Sequence, residues 1–261
     1  MKITLSARLV ESATPKPALL EFIELARACG YDGIGIRSGQ LPPELGAPAV
    51  AAVRQALDRA GMLAFSITCE LKDVPRLVPL ARALGVKVIQ AGGTPVEMAQ
   101  AAALLDADMR LGPQMHTGGE YETVASAAQV LAAIPDRRIG VVVEPANLML
   151  AGLRWSADLL RPLAGRIVGC NLQSLEVGVG SQQLKLRDGT ARLYRRVGLG
   201  ENRQIDIPGF VRALAAAGYT GPINVLEPAR EGLTSRQVAA EALAVLRRCP
   251  EYEGAKSAPR A

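Results

Sequence analysis

Short apolar runs alternate with longer amphipathic segments eight times along this chain, and this rhythm constrains its fold more than any other feature. Such alternation is typical of strand–helix–strand units with parallel strands. Eight units close into a barrel of roughly 250 residues, and the chain has 261. We therefore expect a single-domain α/β protein, a (β/α)8 TIM barrel over residues 1–250, with a polar C-terminal tail over residues 251–261.

The predicted strands are short runs of mainly apolar residues, and several predicted helices stop at a glycine of the kind that caps helix C-termini. The strands are predicted at 3–6, 33–37, 63–69, 86–90, 109–115, 140–144, 167–172 and 223–226. The helices are predicted at 17–29, 47–60, 74–84, 95–105, 123–133, 155–163, 208–217 and 235–248.

Composition excludes several classes of protein. The formal net charge is +5, but the arginines are spread along helices without a dense basic stripe, so we expect no nucleic-acid partner. No run approaches the roughly 18 apolar residues of a membrane span, and the first residues lack a signal-peptide pattern. The four widely spaced cysteines are typical of a reduced, cytoplasmic protein.

One connection is unusually long. Residues 173–206, between the seventh strand and its helix, are polar and contain glycine. A loop that follows a barrel strand lies on the functional face and often covers it. The alternative is a solvated loop or a contact in a homo-oligomer.

Polar side chains collect where the predicted strands end, which is the active face of a barrel. Glu144 and Glu227 end apolar strands, and a buried carboxylate needs a hydrogen-bond donor, a cation or a metal. A structural Glu–Arg pair is the alternative reading. The other side chains expected to contact a small-molecule ligand are Arg37, Gln40, Glu70, His116, Asn147 and Gln173.

Arg37 has two interpretations. A guanidinium at this position suits an anionic or hydroxyl group of the ligand. It could equally neutralise Glu70 or Glu144 across the barrel mouth. The sequence alone leaves both open.

Five segments together resemble a known family. RLGPQMHTGG, IGVVVEPAN, RIVGCNLQS and GLGENRQIDIPGFVRALAAAGYTGPINVLEP match, in order, the later landmarks of the xylose isomerase-like TIM barrel superfamily. ARACGYDGIGIR is similar to the region of its second strand. The resemblance covers nearly the whole chain and includes the sugar phosphate isomerase/epimerase family.

The resemblance implies one divalent metal, held by Glu, Asp, His and Glu from four successive strands. The corresponding residues here are Gln114, Glu144, Asn171 and Glu227, the last only if its strand carries a one-residue bulge; otherwise Leu226 takes that place. Two carboxylates and two amides form an all-oxygen set that suits Mg²⁺ or Mn²⁺. Because the set has lost one charge and the imidazole, the metal is either weakly bound or absent.

The resemblance also implies a sugar or sugar-phosphate isomerase/epimerase-like enzyme that abstracts a proton next to a carbonyl and passes through an enediolate. Glu144 and Glu227 would then be catalytic, and a carbohydrate or related polyhydroxy or anionic molecule the ligand. Gln114 removes one glutamate of a two-base epimerase, which favours a single base.

Two other function classes compete with this one. The first is a non-catalytic or ligand-binding barrel that has lost the metal site, which the substitutions at Gln114 and Asn171 favour. The second is a phosphodiesterase of the related endonuclease type. Such sites need several histidines, and this chain has one.

Overall fold

Eight parallel strands surround the centre of the molecule in the computed structural model, which describes residues 1–249. The predicted tail at 251–261 lies outside those residues. The strands, in chain order, are β1 (Ile3–Ser6), β2 (Gly33–Arg37), β3 (Leu63–Thr68), β4 (Val88–Gln90), β5 (Arg110–Leu111), β6 (Val141–Val143), β7 (Ile167–Leu172), β8 (Leu175–Lys185), β9 (Ala191–Arg196) and β10 (Ile223–Val225). All but β8 and β9 belong to the parallel sheet.

The sheet order confirms the predicted barrel. Its strands follow the order β5-β4-β3-β2-β1-β10-β7-β6, and each neighbouring pair is parallel. Parallel bridges from Leu111 to Ile139 and from Gln114 to Val142 then join the region of β5 to that of β6. Because the carboxyl ends of all eight strands meet at one rim, their terminal side chains share a single mouth.

The helices cover the outside of the barrel. They are α1 (Leu19–Cys29), α2 (Ala47–Ala60), α3 (Val74–Leu84), α4 (Pro95–Ala102), α5 (Val124–Ala132), α6 (Pro145–Leu150), α7 (Ala157–Leu160), α8 (Ile207–Ala216) and α9 (Ser235–Leu246). Within the described residues, each is too short or too polar to cross a bilayer.

The sequence-based boundaries are wrong in two instructive places. The predicted fifth strand at 109–115 is too long, since β5 ends at Leu111 and Pro113 has no N–H for the ladder. The short helix α6 was not predicted. Pro145 directly follows Glu144 and favours the first turn of a helix, so the chain turns into α6 as β6 ends.

The barrel interior contains buried polar side chains. Thr4, Ser66 and Asn224 lie within strands and are buried to 0–1% exposure. A Cβ atom added to Gly35 would lie 2.6 Å from Oδ1 of Asn224, so this glycine leaves the space that the amide fills. The apolar core instead lies between the strands and the helices, where Phe22 is fully buried.

A β-hairpin occupies most of the predicted long connection. Strands β8 and β9 pair antiparallel, with a break in register between Val177 and Gln182. The tip joins the loop after β5, because Oε2 of Glu122 accepts hydrogen bonds from the backbone N–H of Gly118 at 2.6 Å and of Arg187 at 2.9 Å. Its role as a cover or as an oligomer contact stays a prediction.

Candidate functional site

Glu144 lies at the centre of the barrel mouth, directly after β6 and as the N-cap of α6. Its side chain is fully buried. One carboxylate oxygen accepts a hydrogen bond from the amide N–H of Gln114 and the other from that of Gln173. Burial raises the pKa of Glu144 to about 8, while the Gln173 donor and the charges of Arg8 and Arg196 oppose that shift.

A chain of amide hydrogen bonds leads to this carboxylate across the barrel. Nδ2 of Asn224 donates to Oδ1 of Asn171 at 2.9 Å. Nδ2 of Asn171 in turn donates to Oε1 of Gln90 at 2.9 Å and to Oε1 of Gln114 at 3.0 Å. Gln114 donates to Glu144. Each side chain in the series Asn224, Asn171 and Gln114 therefore donates a hydrogen bond to the next one. The network holds these side chains in fixed orientations.

Glu227 lies at the same mouth, although it follows the end of strand β10 and its direction is not fixed by strand geometry. The regular strand β10 ends at Val225, so the alternation of side chains need not continue to residue 227. Glu227 is 2% exposed, and its Oε1 accepts a hydrogen bond from the backbone N–H of Ser174 at 2.8 Å. Its second oxygen has no hydrogen-bond donor among residues 1–249.

A cavity of about 490 Å³ opens beside Glu227. Arg196 and Gln182 of the hairpin line one part of it, and Arg230 lines another. Burial raises the pKa of Glu227 to about 8, against the Ser174 N–H donor and the nearby arginines. The cavity therefore gives a small ligand access to a carboxyl group that titrates near neutral pH.

Asn147 is a buried donor with no acceptor. It lies in the first turn of α6 and is 1% exposed, and its Nδ2 has no hydrogen-bond partner among the described residues. An unmade buried hydrogen bond costs about 1–3 kcal/mol. Such a donor is typical of a site in which a ligand supplies the missing oxygen.

Gln173, Gln114, Asn171 and Glu144 are brought together as one hydrogen-bonded cluster, but the remaining predicted site residues are not. Glu70 is exposed and pairs with Lys72, whose hydrogen bond lowers the pKa of Glu70. His116 is also exposed, and its Nδ1 lies 3.0 Å from the carbonyl oxygen of Thr117. For these two residues, ligand contact stays a prediction.

Arg37 pairs with Glu11, since its Nε donates to Oε1 of that residue at 2.7 Å. The interpretation in which Arg37 neutralises Glu70 or Glu144 is therefore wrong. Gln40 lies close by in the same depression, and both polar atoms of its amide are buried without a partner. These two residues border the mouth on the side of β2.

The sequence predictions left three members of the interior network out of the site: Thr4, Ser66 and Asn224. A signal for them exists, because each is a polar residue inside or at the end of an otherwise apolar strand. Secondary-structure propensity cannot show that these side chains contact one another. Their contacts depend on how the strands are arranged around the barrel.

The residues at the expected metal position do not fit a divalent cation. The oxygen of Asn171 accepts from Asn224, and that of Gln114 accepts from Asn171, so both amide oxygens are already engaged. Both oxygens of Glu144 face amide N–H groups, which repel a cation. Among residues 1–249, no group of three His, Cys, Asp or Glu side chains is arranged to hold a metal ion.

We expect the purified protein to hold no stoichiometric metal. After incubation with excess Mn²⁺ and removal of free ions, elemental analysis should give well under one Mn per chain, and chelation should leave the thermal midpoint unchanged. The physical reason is that freeing the four expected ligands to bind a metal would break several buried hydrogen bonds of the amide network. Stoichiometric Mn that disappears in Glu144→Ala would contradict this expectation.

The fold and the mouth together define a class, the (β/α)8 barrel whose buried carboxyl groups lie at the C-terminal ends of the strands. A family model described as "Xylose isomerase-like TIM barrel" matches residues 23–249. The chain belongs to this family, as its sequence motifs indicated.

Solved structures support the same fold. A xylose isomerase domain protein from Alicyclobacillus acidocaldarius subsp. acidocaldarius is 21% identical with a TM-score of 0.74, covering 95% of this chain and 98% of its own. An L-ribulose 3-epimerase is 14% identical with a TM-score of 0.73, covering 100% and 99%. An IolI protein with a bound zinc atom is 16% identical with a TM-score of 0.72, covering 94% and 96%.

Other comparisons limit what these similarities mean. This chain spans 41% of a fusion protein that joins a xylose isomerase-like TIM barrel to a 4-hydroxyphenylpyruvate dioxygenase. A search of curated protein sequences gave no match. At such identities the solved structures define the fold, and the chemistry must be argued from the residues of this chain.

Proposed function

We propose that this protein is an isomerase of a small carbohydrate or related polyhydroxy compound, and that Glu227 is its single base. The observation that carries the proposal is the position of Glu227: a nearly buried carboxyl group beside a cavity, with one oxygen that accepts no hydrogen bond from residues 1–249. The family includes structures named as sugar epimerases, which supports the general class.

In the proposed reaction, the Glu227 carboxylate takes the proton from the carbon next to the carbonyl. The C–H electron pair becomes the C=C bond of an enediolate, and the carbonyl π electrons move to oxygen. We propose Asn147, whose Nδ2 has no acceptor among residues 1–249, as the donor to that oxyanion. The proton of the neighbouring hydroxyl group then moves to the oxyanion, so that the carbonyl forms at the neighbouring carbon. Return of the proton from Glu227 to the former carbonyl carbon gives the isomer and restores the carboxylate.

Glu144 has a different role in this scheme. Each of its oxygens accepts from an amide donor and its side chain is fully buried, so it is not accessible to the carbon of a substrate. It orients Gln114 and Gln173, and its ionised form interacts with the charges of Arg8 and Arg196. Glu144 is therefore a positioning residue, and the two carboxylates do not form a matched pair of bases.

The test is hydrogen exchange in D₂O, followed by NMR on a panel of aldoses, ketoses and sugar acids. We expect deuterium to enter the carbon next to the carbonyl of at least one compound. Because only the ionised form of Glu227 accepts a proton and its pKa is about 8, the exchange rate should rise with pH and level off above about 8. A rate that falls over that range would contradict the assignment of Glu227.

The second candidate is a ligand-binding barrel without catalysis. The closed amide network at Gln114 and Asn171 favours it, since amides replace groups that could transfer protons. This candidate predicts ligand binding with no deuterium incorporation at any pH. The same NMR experiment therefore separates the two candidates.

A further inference from the structure

The direction of the Glu227 carboxyl group depends on one hydrogen bond from a neighbouring segment. Glu227 lies two positions beyond Val225, the last residue of β10, so strand alternation does not orient its side chain. Among residues 1–249, that side chain accepts a hydrogen bond only from the backbone N–H of Ser174, at 2.8 Å. The N–H can fix the carboxyl group only if the backbone around residue 174 is itself held in place.

Asn202 holds the backbone around Ser174. Ser174 is 1% exposed and lies between the end of β7 at Leu172 and the start of β8 at Leu175, outside the strand ladders. Nδ2 of Asn202 donates to Oγ of Ser174 at 2.9 Å and to the carbonyl oxygen of Leu175 at 2.7 Å. These two contacts fix the short connection on which the donor to Glu227 lies.

The amide of Asn202 has a single possible orientation in this loop. Its Oδ1 accepts hydrogen bonds from the backbone N–H of Gln204 at 2.6 Å and of Ile205 at 2.8 Å. Because the oxygen is bound to two backbone donors, the NH₂ group must point toward Ser174. An aspartate could replace the oxygen of this amide but not its donors.

The same loop also holds a second residue of the Glu227 cavity. Glu201 accepts a hydrogen bond from the backbone N–H of Gly198 at 3.1 Å and pairs with Arg230, which lines the cavity. Asn202 itself is not among the described residues that line it. Asn202 therefore acts on a ligand only through the residues that it holds.

We propose that Asn202 is a positioning residue: by holding Ser174, it directs the backbone N–H that fixes the Glu227 carboxyl group beside the cavity. The inference rests on the proposed function for the role of Glu227 as the base. A displacement of about 1 Å between a reacting group and its substrate can lower a rate by about 10²-fold. Loss of the Asn202 donors should therefore lower the rate of the chemical step and leave ligand binding almost unchanged.

The test uses the Asn202→Asp variant of the full chain. Aspartate has nearly the same shape and still accepts from the N–H groups of Gln204 and Ile205, but it cannot donate to Ser174. On a substrate that the wild type exchanges, we expect kcat for deuterium exchange to fall by about 10- to 100-fold, with KM within about twofold of the wild type. In NMR amide exchange without any substrate, the Ser174 N–H should exchange about 10-fold faster, as expected for a weakened hydrogen bond.

Gln204→Glu is the matched control, because Gln204 lies in the same loop and contacts β8 without contacting Ser174. Its Oε1 accepts from the N–H of Val177 at 2.8 Å, and its Nε2 donates to the carbonyl oxygen of Val177 at 3.1 Å. The glutamate also keeps an acceptor and loses a donor. We expect this variant to lose some stability but to keep the wild-type kcat and the wild-type exchange rate of the Ser174 N–H.

Ser174→Ala is a second variant, and it decides the question if Asn202→Asp does not fold. It removes one of the two acceptors of Asn202 but keeps the N–H that donates to Glu227. Both kcat and the protection of the residue 174 N–H should fall, by smaller factors than in Asn202→Asp.

Three results would overturn the proposal: an unchanged exchange rate of the Ser174 N–H in Asn202→Asp, an equal loss of kcat in Asn202→Asp and Gln204→Glu, or a raised KM with an unchanged kcat. The proposed function fails separately, if the wild type catalyses no deuterium exchange. In that case the amide exchange of Ser174 still decides whether Asn202 holds the donor to Glu227.

Discussion

Glu144→Ala is expected to lower the free energy of unfolding by about 2–6 kcal/mol, because two buried amide donors lose their acceptor at about 1–3 kcal/mol each. The change leaves the amide N–H groups of Gln114 and Gln173 buried without an acceptor. Above about pH 8, where Glu144 is ionised, the change also removes a negative charge that interacts with Arg8 and Arg196. Urea unfolding followed by the fluorescence of Trp155, the one tryptophan, measures the loss.

Glu70→Ala is the matched control, because that glutamate is exposed and pairs only with exposed Lys72. Its unfolding curve should overlay that of the wild type. The free energy of unfolding of Glu144→Gln should lie between those of the two alanine variants. The glutamine oxygen still accepts one hydrogen bond, but the glutamine NH₂ group faces the N–H of a neighbouring amide. Identical curves for Glu144→Ala and Glu70→Ala would show that the network contributes nothing to stability.

Glu227→Gln is expected to reduce the rate of deuterium exchange by about 10²- to 10⁴-fold, the usual contribution of a general base. The amide still accepts from the Ser174 N–H through its oxygen, so the fold should be retained. The NMR exchange assay gives the rate, and the unfolding curve shows that the loss is chemical.

Glu231→Gln serves as the control for this substitution, because Glu231 lines the same cavity but is exposed. It should keep the wild-type exchange rate. If Glu227→Gln also kept that rate while Glu144→Gln lost it, the base would be Glu144 and the roles proposed for the two glutamates would be reversed.

The position of the site along the chain could be predicted from sequence. Short apolar strands that end in Glu144 and in Asn171 must place these side chains on one rim, because parallel barrel strands all end on the same face. The same periodicity predicted the barrel itself. The helix α6 was missed because the pattern of apolar residues does not indicate it. Its signal is Pro145, which directly follows a strand and favours the first turn of a helix.

What the side chains do at that rim was decided by tertiary structure. Gln114 and Asn171 occupy the positions where ligands of a metal were expected, yet their oxygens accept from other amides, which depends on neighbours 53 to 57 residues away. Arg196 reaches Gln173 only because the intervening residues fold into a hairpin.

The sequence by itself determined the barrel, its strand ends and the polar residues gathered there, because these follow from local periodicity and strand direction. The tertiary structure alone decided that Arg37 pairs with Glu11 while Arg8 forms no ion pair within residues 1–249. It also decided that Glu227 borders a cavity while Glu144 is fully buried. Pairing, burial and access depend on residues distant in the chain, and no local pattern encodes them.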